Sequence, residues 1–156
     1  MKINVIFLLI CCLANIKCIS QNSSTDTVNN SKINQRFGQI EKIELTERTR
    51  GTDRVFTFES ASLNISLNGT TTLKELSKAN WDEIIKQASL IDLSKISTYT
   101  APTTGRYSDS ALSSTIIITS AGKTYESASF DEGIPPKELE GLYLLLKGKS
   151  KIIKKR

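Results

Sequence analysis

Three arginines, Arg48, Arg50 and Arg54, crowd one short stretch around Gly51, and Arg106-Tyr107 puts a second basic and aromatic pair further along the chain. A guanidinium offers a planar fork of donors that fits a carboxylate or phosphate bidentately. Together with Tyr99 these residues form the candidate partner-binding set. The competing reading of the arginines is a polar turn with dispersed, solvated guanidinium groups. Two acids, Asp109 and Asp131, suggest another chemistry, since a glycosidase needs a pair of facing carboxyl groups about 5 or about 9 Å apart. Acids beside turns are ordinarily solvated, so no residue is assigned a catalytic role.

Much familiar chemistry is excluded by what the chain lacks. Histidine is absent, and Cys11, Cys12, Cys18 and the only methionine, Met1, all fall in the first eighteen residues. Once such a leader is removed, no Ser-His-Asp or Cys-His nucleophile, no Cys/His zinc site and no disulfide can be built. A Gly-x-Ser-x-Gly elbow, a glycine-rich phosphate loop and EF-hand spacing are all missing. The reading therefore calls for a non-enzymatic protein without cofactor or metal.

The apolar run from Val5 to Ala14 follows Lys2 and has the length of a signal-peptide core. A bilayer-spanning helix needs about 20 apolar residues, and Asn15 and Lys17 interrupt this one. Cys18-Ile19-Ser20 supplies small side chains for cleavage before Gln21, and Cys12-Leu13-Ala14 offers a second cut. Lipidation is the rival route, but neither candidate cysteine follows the usual small residue. The expected organisation is a signal peptide (1–20), a polar tether (21–36), a single domain (37–148) and a basic tail (149–156). Export to the periplasm or beyond follows, with no integral membrane span.

The net charge of +5 is unevenly spread, because Lys147, Lys149, Lys151, Lys154, Lys155 and Arg156 crowd the last ten residues. Residues 21–146 hold 13 basic against 16 acidic side chains. Without interleaved aromatics such a tail reads as a solvated terminus, so nucleic acid is not an expected partner. The tether has only Val28 and Ile33 as aliphatics and cannot offset its ordering entropy.

Positioning the candidate residues falls to an alternating pattern. Ile43 and Leu45 alternate with the charged Lys42, Glu44 and Glu47, predicting a half-buried strand. Val55 to Glu59 and Leu63 to Leu67 predict two more, and Asn68-Gly69 is a type I′ hairpin signal into a short return strand at Thr70. Asn80 as N-cap with Glu83 three residues on predicts a helix whose apolar stripe is Trp81, Ile84, Ile85 and Ala88. Ser97 to Ser110 forms the longest loop. Ile116 to Thr119 and Thr124 to Phe130 read as a central hairpin, and Pro135-Pro136 opens a helix lined by Leu139, Leu142, Tyr143 and Leu146 and stopped by Gly148. The fold class is α+β, an antiparallel sheet of about five strands with two helices packed on one face.

Glu47-Arg48-Thr49-Arg50-Gly51, Asn80-Trp81-Asp82, Ser129-Phe130-Asp131, Gly133 and Pro135-Pro136-Lys137-Glu138-Leu139 resemble a group of small exported proteins of unassigned function from Gram-negative bacteria, over residues 38–147. The layout of elements is also similar to the emfourin family, small protein inhibitors of thermolysin-type metalloproteases. That likeness implies a binder that plugs a protease cleft with loops, and it places no individual residue. The expectation is a binding domain that recognises a protein partner through the first hairpin turn and the 97–110 loop. Metalloprotease inhibition, a structural envelope role and a small carboxylate-based hydrolase are the alternatives.

Overall fold

The computed structural model describes residues 40–151. The expected signal peptide with its cysteines, the tether, the start of the domain at Phe37 and the end of the basic tail lie outside the described residues.

The elements are β1 (Ile40–Thr49), β2 (Thr52–Phe58), β3 (Ser62–Leu67), β4 (Thr70–Glu75), α1 (Lys78–Ala88), β5 (Ser113–Ser120), β6 (Lys123–Glu126), β7 (Phe130–Asp131) and α2 (Glu140–Lys151). Short 3-10 turns occupy Leu93–Thr98, Gly105–Ser108 and Lys137–Leu139. One antiparallel sheet runs in the order β4-β3-β2-β1-β5-β6, with β7 also paired to β5.

Alternation puts Ile43 and Leu45 of β1, Phe56 and Phe58 of β2, Leu63 and Ile65 of β3, and Ile116 and Ile118 of β5 in one buried layer. Trp81, Ile84, Ile85 and Ala88 of α1 and Leu142, Tyr143 and Leu146 of α2 close over that layer in the same core cluster. The i, i+3, i+4, i+7 spacing in α1 makes this possible, because those positions share one helical face. Each such aliphatic or aromatic side chain contributes about 1.5–3 kcal/mol by leaving water. Phe130 meets Tyr143 edge to face, with ring centroids 5.3 Å apart.

The α+β class with two helices over an antiparallel sheet stands, and among the described residues the sheet has seven strands where about five were expected. One extra piece is β4, the expected short return strand, which runs for six residues, and the other arises where the 124–130 stretch divides. Ser127 breaks the edge strand: its Oγ accepts from Ile116 N and its N donates to Ile116 O, leaving β6 and β7 as separate short pairings. The β5–β6 hairpin is not central, because β6 lies at the edge and β1 fills the position between β2 and β5.

Asn68-Gly69 forms the expected turn, with φ of 50° and 84°. Ala121-Gly122 makes a second left-handed pair at φ 49° and 70°. Ser77, not Asn80, is the N-cap of α1, and its hydroxyl accepts from Asn80 N. Asn80 and Glu83 instead hold Lys149 of α2, at 2.7 and 2.8 Å. Gly148 does not stop α2, which continues to Lys151.

Candidate functional site

The turns β1–β2 and β3–β4, the loop that carries Gly105–Ser108, β7 and the later part of α2 meet at one end of the sheet. The two hairpin turns lock together there: Asp53 N donates to Asn68 Oδ1 and Asn68 N donates to Asp53 O, both at 2.7 Å.

Asp131 organises the loop. Its carboxylate accepts from Thr103 Oγ1 at 2.6 Å, Gly105 N at 2.6 Å, Arg106 N at 2.9 Å and Arg106 Nη1 at 3.1 Å. Hydrogen bonding by the Thr103 hydroxyl is the main cause that holds this carboxyl well below the ordinary carboxylate range, opposed by burial and helped by the Arg106 and Gly105 donors. Gly105 is needed for the close approach, since a Cβ there would stand 3.0 Å from Asp131 Oδ2. Arg106 also donates to Thr103 O and to Ser129 Oγ.

On this brace the neighbouring aromatic projects outward. Tyr107 is 75% exposed, and the Arg106 guanidinium carbon lies 4.3 Å from its ring centroid, within cation–π range. Arg50 reaches Asp109 at 3.2 Å, and Thr49 Oγ1 donates to Asp109 Oδ1 at 3.5 Å, so the loop and the first hairpin turn are tied side by side.

Of the sequence-derived set, Arg48, Arg50, Arg54, Arg106 and Tyr107 gather at this end, and Tyr99 does not. The Tyr99 hydroxyl donates to Asp92 O, and the ring packs against the core. Asp92 belongs to the opposite end of the sheet, where a cleft of about 500 Å³ is lined by Ile40, Ile91, Asp92, Ser120 and Tyr125 among others. Each of the four arginines already has an internal carboxylate: Arg48 with Asp53, Arg50 with Asp109, Arg54 with Glu47 and Glu132, and Arg106 with Asp131. The Arg106 side chain is buried, whereas Arg48 and Arg50 face solvent. Asp109 and Asp131 are committed to different partners, Arg50 with Thr49 and the Thr103–Arg106 segment respectively.

A partly buried charge cluster lies at the same end, and sequence reading placed its members elsewhere. Glu47 shares the inward phase of Ile43 and Leu45 and is fully buried, so it does not belong with the solvent-facing Lys42 and Glu44. Lys147, read as part of the basic terminus, reaches in from α2 to bond Glu47 Oε1 at 2.6 Å and Glu132 Oε1 at 2.8 Å. Arg54 completes the quartet at 3.6 Å from Glu47 Oε2 and 3.7 Å from Glu132 Oε1. Glu47 Oε2 and the cross-strand Ser114 Oγ are buried without a hydrogen-bond partner among the described residues. Burial works against the Lys147 charge, but hydrogen bonds to Glu132 and Glu47 outweigh it and raise its pKa. Burial raises the Tyr143 hydroxyl. A charged residue in the apolar phase of a strand was the one available signal for Glu47.

The chain also holds a Ser-x-x-Lys spacing, Ser120 to Lys123, but it spans the β5–β6 turn and leaves Lys123 exposed. Among the described residues no group of three or more His, Cys, Asp or Glu could hold a metal ion, and no helix is long and apolar enough to cross a membrane.

Fold and site together describe an α+β domain with a braced loop beside a hairpin turn. Comparison of the chain with protein-family models, curated proteins and solved structures finds no match.

Proposed function

We propose that this is an exported, non-enzymatic binding domain that recognises a protein partner through the Thr103–Asp109 loop and the β1–β2 turn. One observation carries the reading: the buried Asp131 carboxylate fixes the loop through four hydrogen bonds while Tyr107 stands exposed beside it. A loop ordered before binding avoids most of the side-chain and backbone ordering cost of association, and tyrosine offers a large contact area with few rotamers. Arg50 and Arg48 at the adjacent turn are exposed and suit an acidic rim on the partner. The Arg106 side chain is buried in the brace, and the partly exposed Arg54 is paired with Glu47 and Glu132.

The braced loop also favours a more specific form of the same reading, inhibition of a secreted metalloprotease, because plugging a cleft requires a loop that does not collapse. Purified thermolysin-type protease titrated with the full chain tests that form: activity should fall stoichiometrically at near-equal concentrations. For the general form, a Tyr107→Ala/Arg50→Ala variant should bind the partner isolated on the wild-type protein at least about tenfold more weakly, with an unchanged melting temperature. Unchanged binding per folded molecule would sink the assignment.

A further inference from the structure

We propose that β4 is a self-pairing edge, at which two copies of the chain join antiparallel about a two-fold axis through Leu73 and continue one sheet into the next. This inference stands apart from the proposed function, because it concerns the sheet edge and not the braced loop.

The two edges of the sheet are treated differently. At one, β6 and β7 are short, Ser127 interrupts them, and the Leu93–Thr98 turn packs against β6. These are the features that normally protect an edge from pairing. At the other, β4 pairs, among the described residues, with β3 alone and runs as Thr-Thr-Thr-Leu-Lys-Glu without proline, glycine or bulge. Thr70 to Leu73 and Glu75 are exposed, Leu73 by 70%.

Register decides whether this edge fits a copy of itself. Leu67 and Thr70 close the two-residue β3–β4 turn as a hydrogen-bonded pair, so Thr70, Thr72 and Lys74 direct their backbone groups at β3. Thr71, Leu73 and Glu75 direct theirs outward. Pairing centred on Leu73 sets Leu73 against its twin, Thr71 against Glu75 and Thr72 against Lys74. Every outward N–H and C=O of both strands then finds a partner, and no like charges meet. A Thr72-centred register would leave Glu75 unpaired.

The faces also agree, since antiparallel pairing keeps each face of the sheet continuous. Leu73 lies opposite Asn64, between the buried Leu63 and Ile65, and hence on the face away from the helices. The two Leu73 side chains meet on the axis and lose their exposure to water, while the helices of both copies stay on the other face. One strand pair covers less than the about 1,200–2,000 Å² of a standard interface, so the dimer is weak and concentration-dependent.

Sedimentation velocity on the full chain from micromolar to millimolar concentration, with residue-resolved amide exchange, tests this. The expected result is a rising dimer fraction in which the Thr71, Leu73 and Glu75 amides gain protection with concentration, while Thr70, Thr72 and Lys74 are protected throughout. Leu73→Lys, which sets two cations on the axis, should weaken dimerisation at least about tenfold with an unchanged circular dichroism spectrum. A protein that stays monomeric, a dimer without new protection at those three amides, or protection that appears only when another protein donates an extended segment would each overturn the proposal.

Discussion

Glu47 shows how one residue can invert a local pattern. Period-two alternation carries it into the same layer as Ile43 and Leu45, where an ionised carboxylate is tolerable only with its charge answered. Lys147 and Arg54 answer it from α2 and β2. Truncating one partner of a buried pair costs about 3–5 kcal/mol, because the other charge is left behind. Lys147→Met should therefore lose at least about 3 kcal/mol of stability in urea denaturation. Glu47→Leu combined with Lys147→Met should recover a large part of that loss, and additive losses in the double variant would refute the coupling. A second residue is at odds with its backbone: Ala121 sits at φ 49°. Left-handed backbone costs an L-residue about 1–2 kcal/mol, and asparagine tolerates it better, so Ala121→Asn should raise the denaturation midpoint.

At the scale of elements, the loop before β5 is shaped from outside itself. Thr103, Gly105 and Arg106 converge on a carboxylate that arrives from β7, far along the chain. Gly105→Ala would push a methyl group against Asp131 Oδ2 and loosen the brace, so the loop should be cut faster by protease while the melting temperature changes little. Asp131 titrates below its ordinary 3.8, so the stability it adds is complete above that value and disappears as pH falls through the lower folded pKa. Acid unfolding of Asp131→Asn should accordingly be less steep below about pH 4 than that of the wild type. An equal slope in both proteins would show that Asp131 is not a source of the acid sensitivity.

For the whole molecule, α2 is the clasp. Lys147 ties it to β1 and to Glu132, while Lys149 ties it to α1. Lys147 and Tyr143 both have raised pKa values when folded, above ordinary values of 10.5 and 10.0. The protonated forms are thus favoured by the native state, and their contribution is complete below those values and lost as pH climbs past them. Melting temperature should hold steady from neutral pH to about pH 10 and then decline, with a shallower decline in Lys147→Met. A midpoint that is flat through pH 11 would contradict the role given to the clasp.

Local pattern was enough to find β1 to β5, both helical stripes and the Asn68-Gly69 turn, because alternation, 3.6-residue spacing and left-handed turn preference act over neighbouring residues, but it did not find the division of 124–130 into β6 and β7. The same reasoning recognised the Arg48–Arg54 turn and the 97–110 loop as distinctive. It did not separate the exposed Arg48 and Arg50 from Arg106, whose side chain is buried, or from the partly exposed Arg54 that pairs with Glu47 and Glu132, and it grouped with them Tyr99, which lies towards the other end of the sheet. Lys147 looked like one of six terminal cations, and Asp131 like a spare acid. Their roles depend on which carboxylate or cation the chain brings alongside from about a hundred or about twenty-five positions away. Charge and hydrogen bonding act across space, so pairing of that kind is fixed only when β1, β7, the loop and α2 pack together.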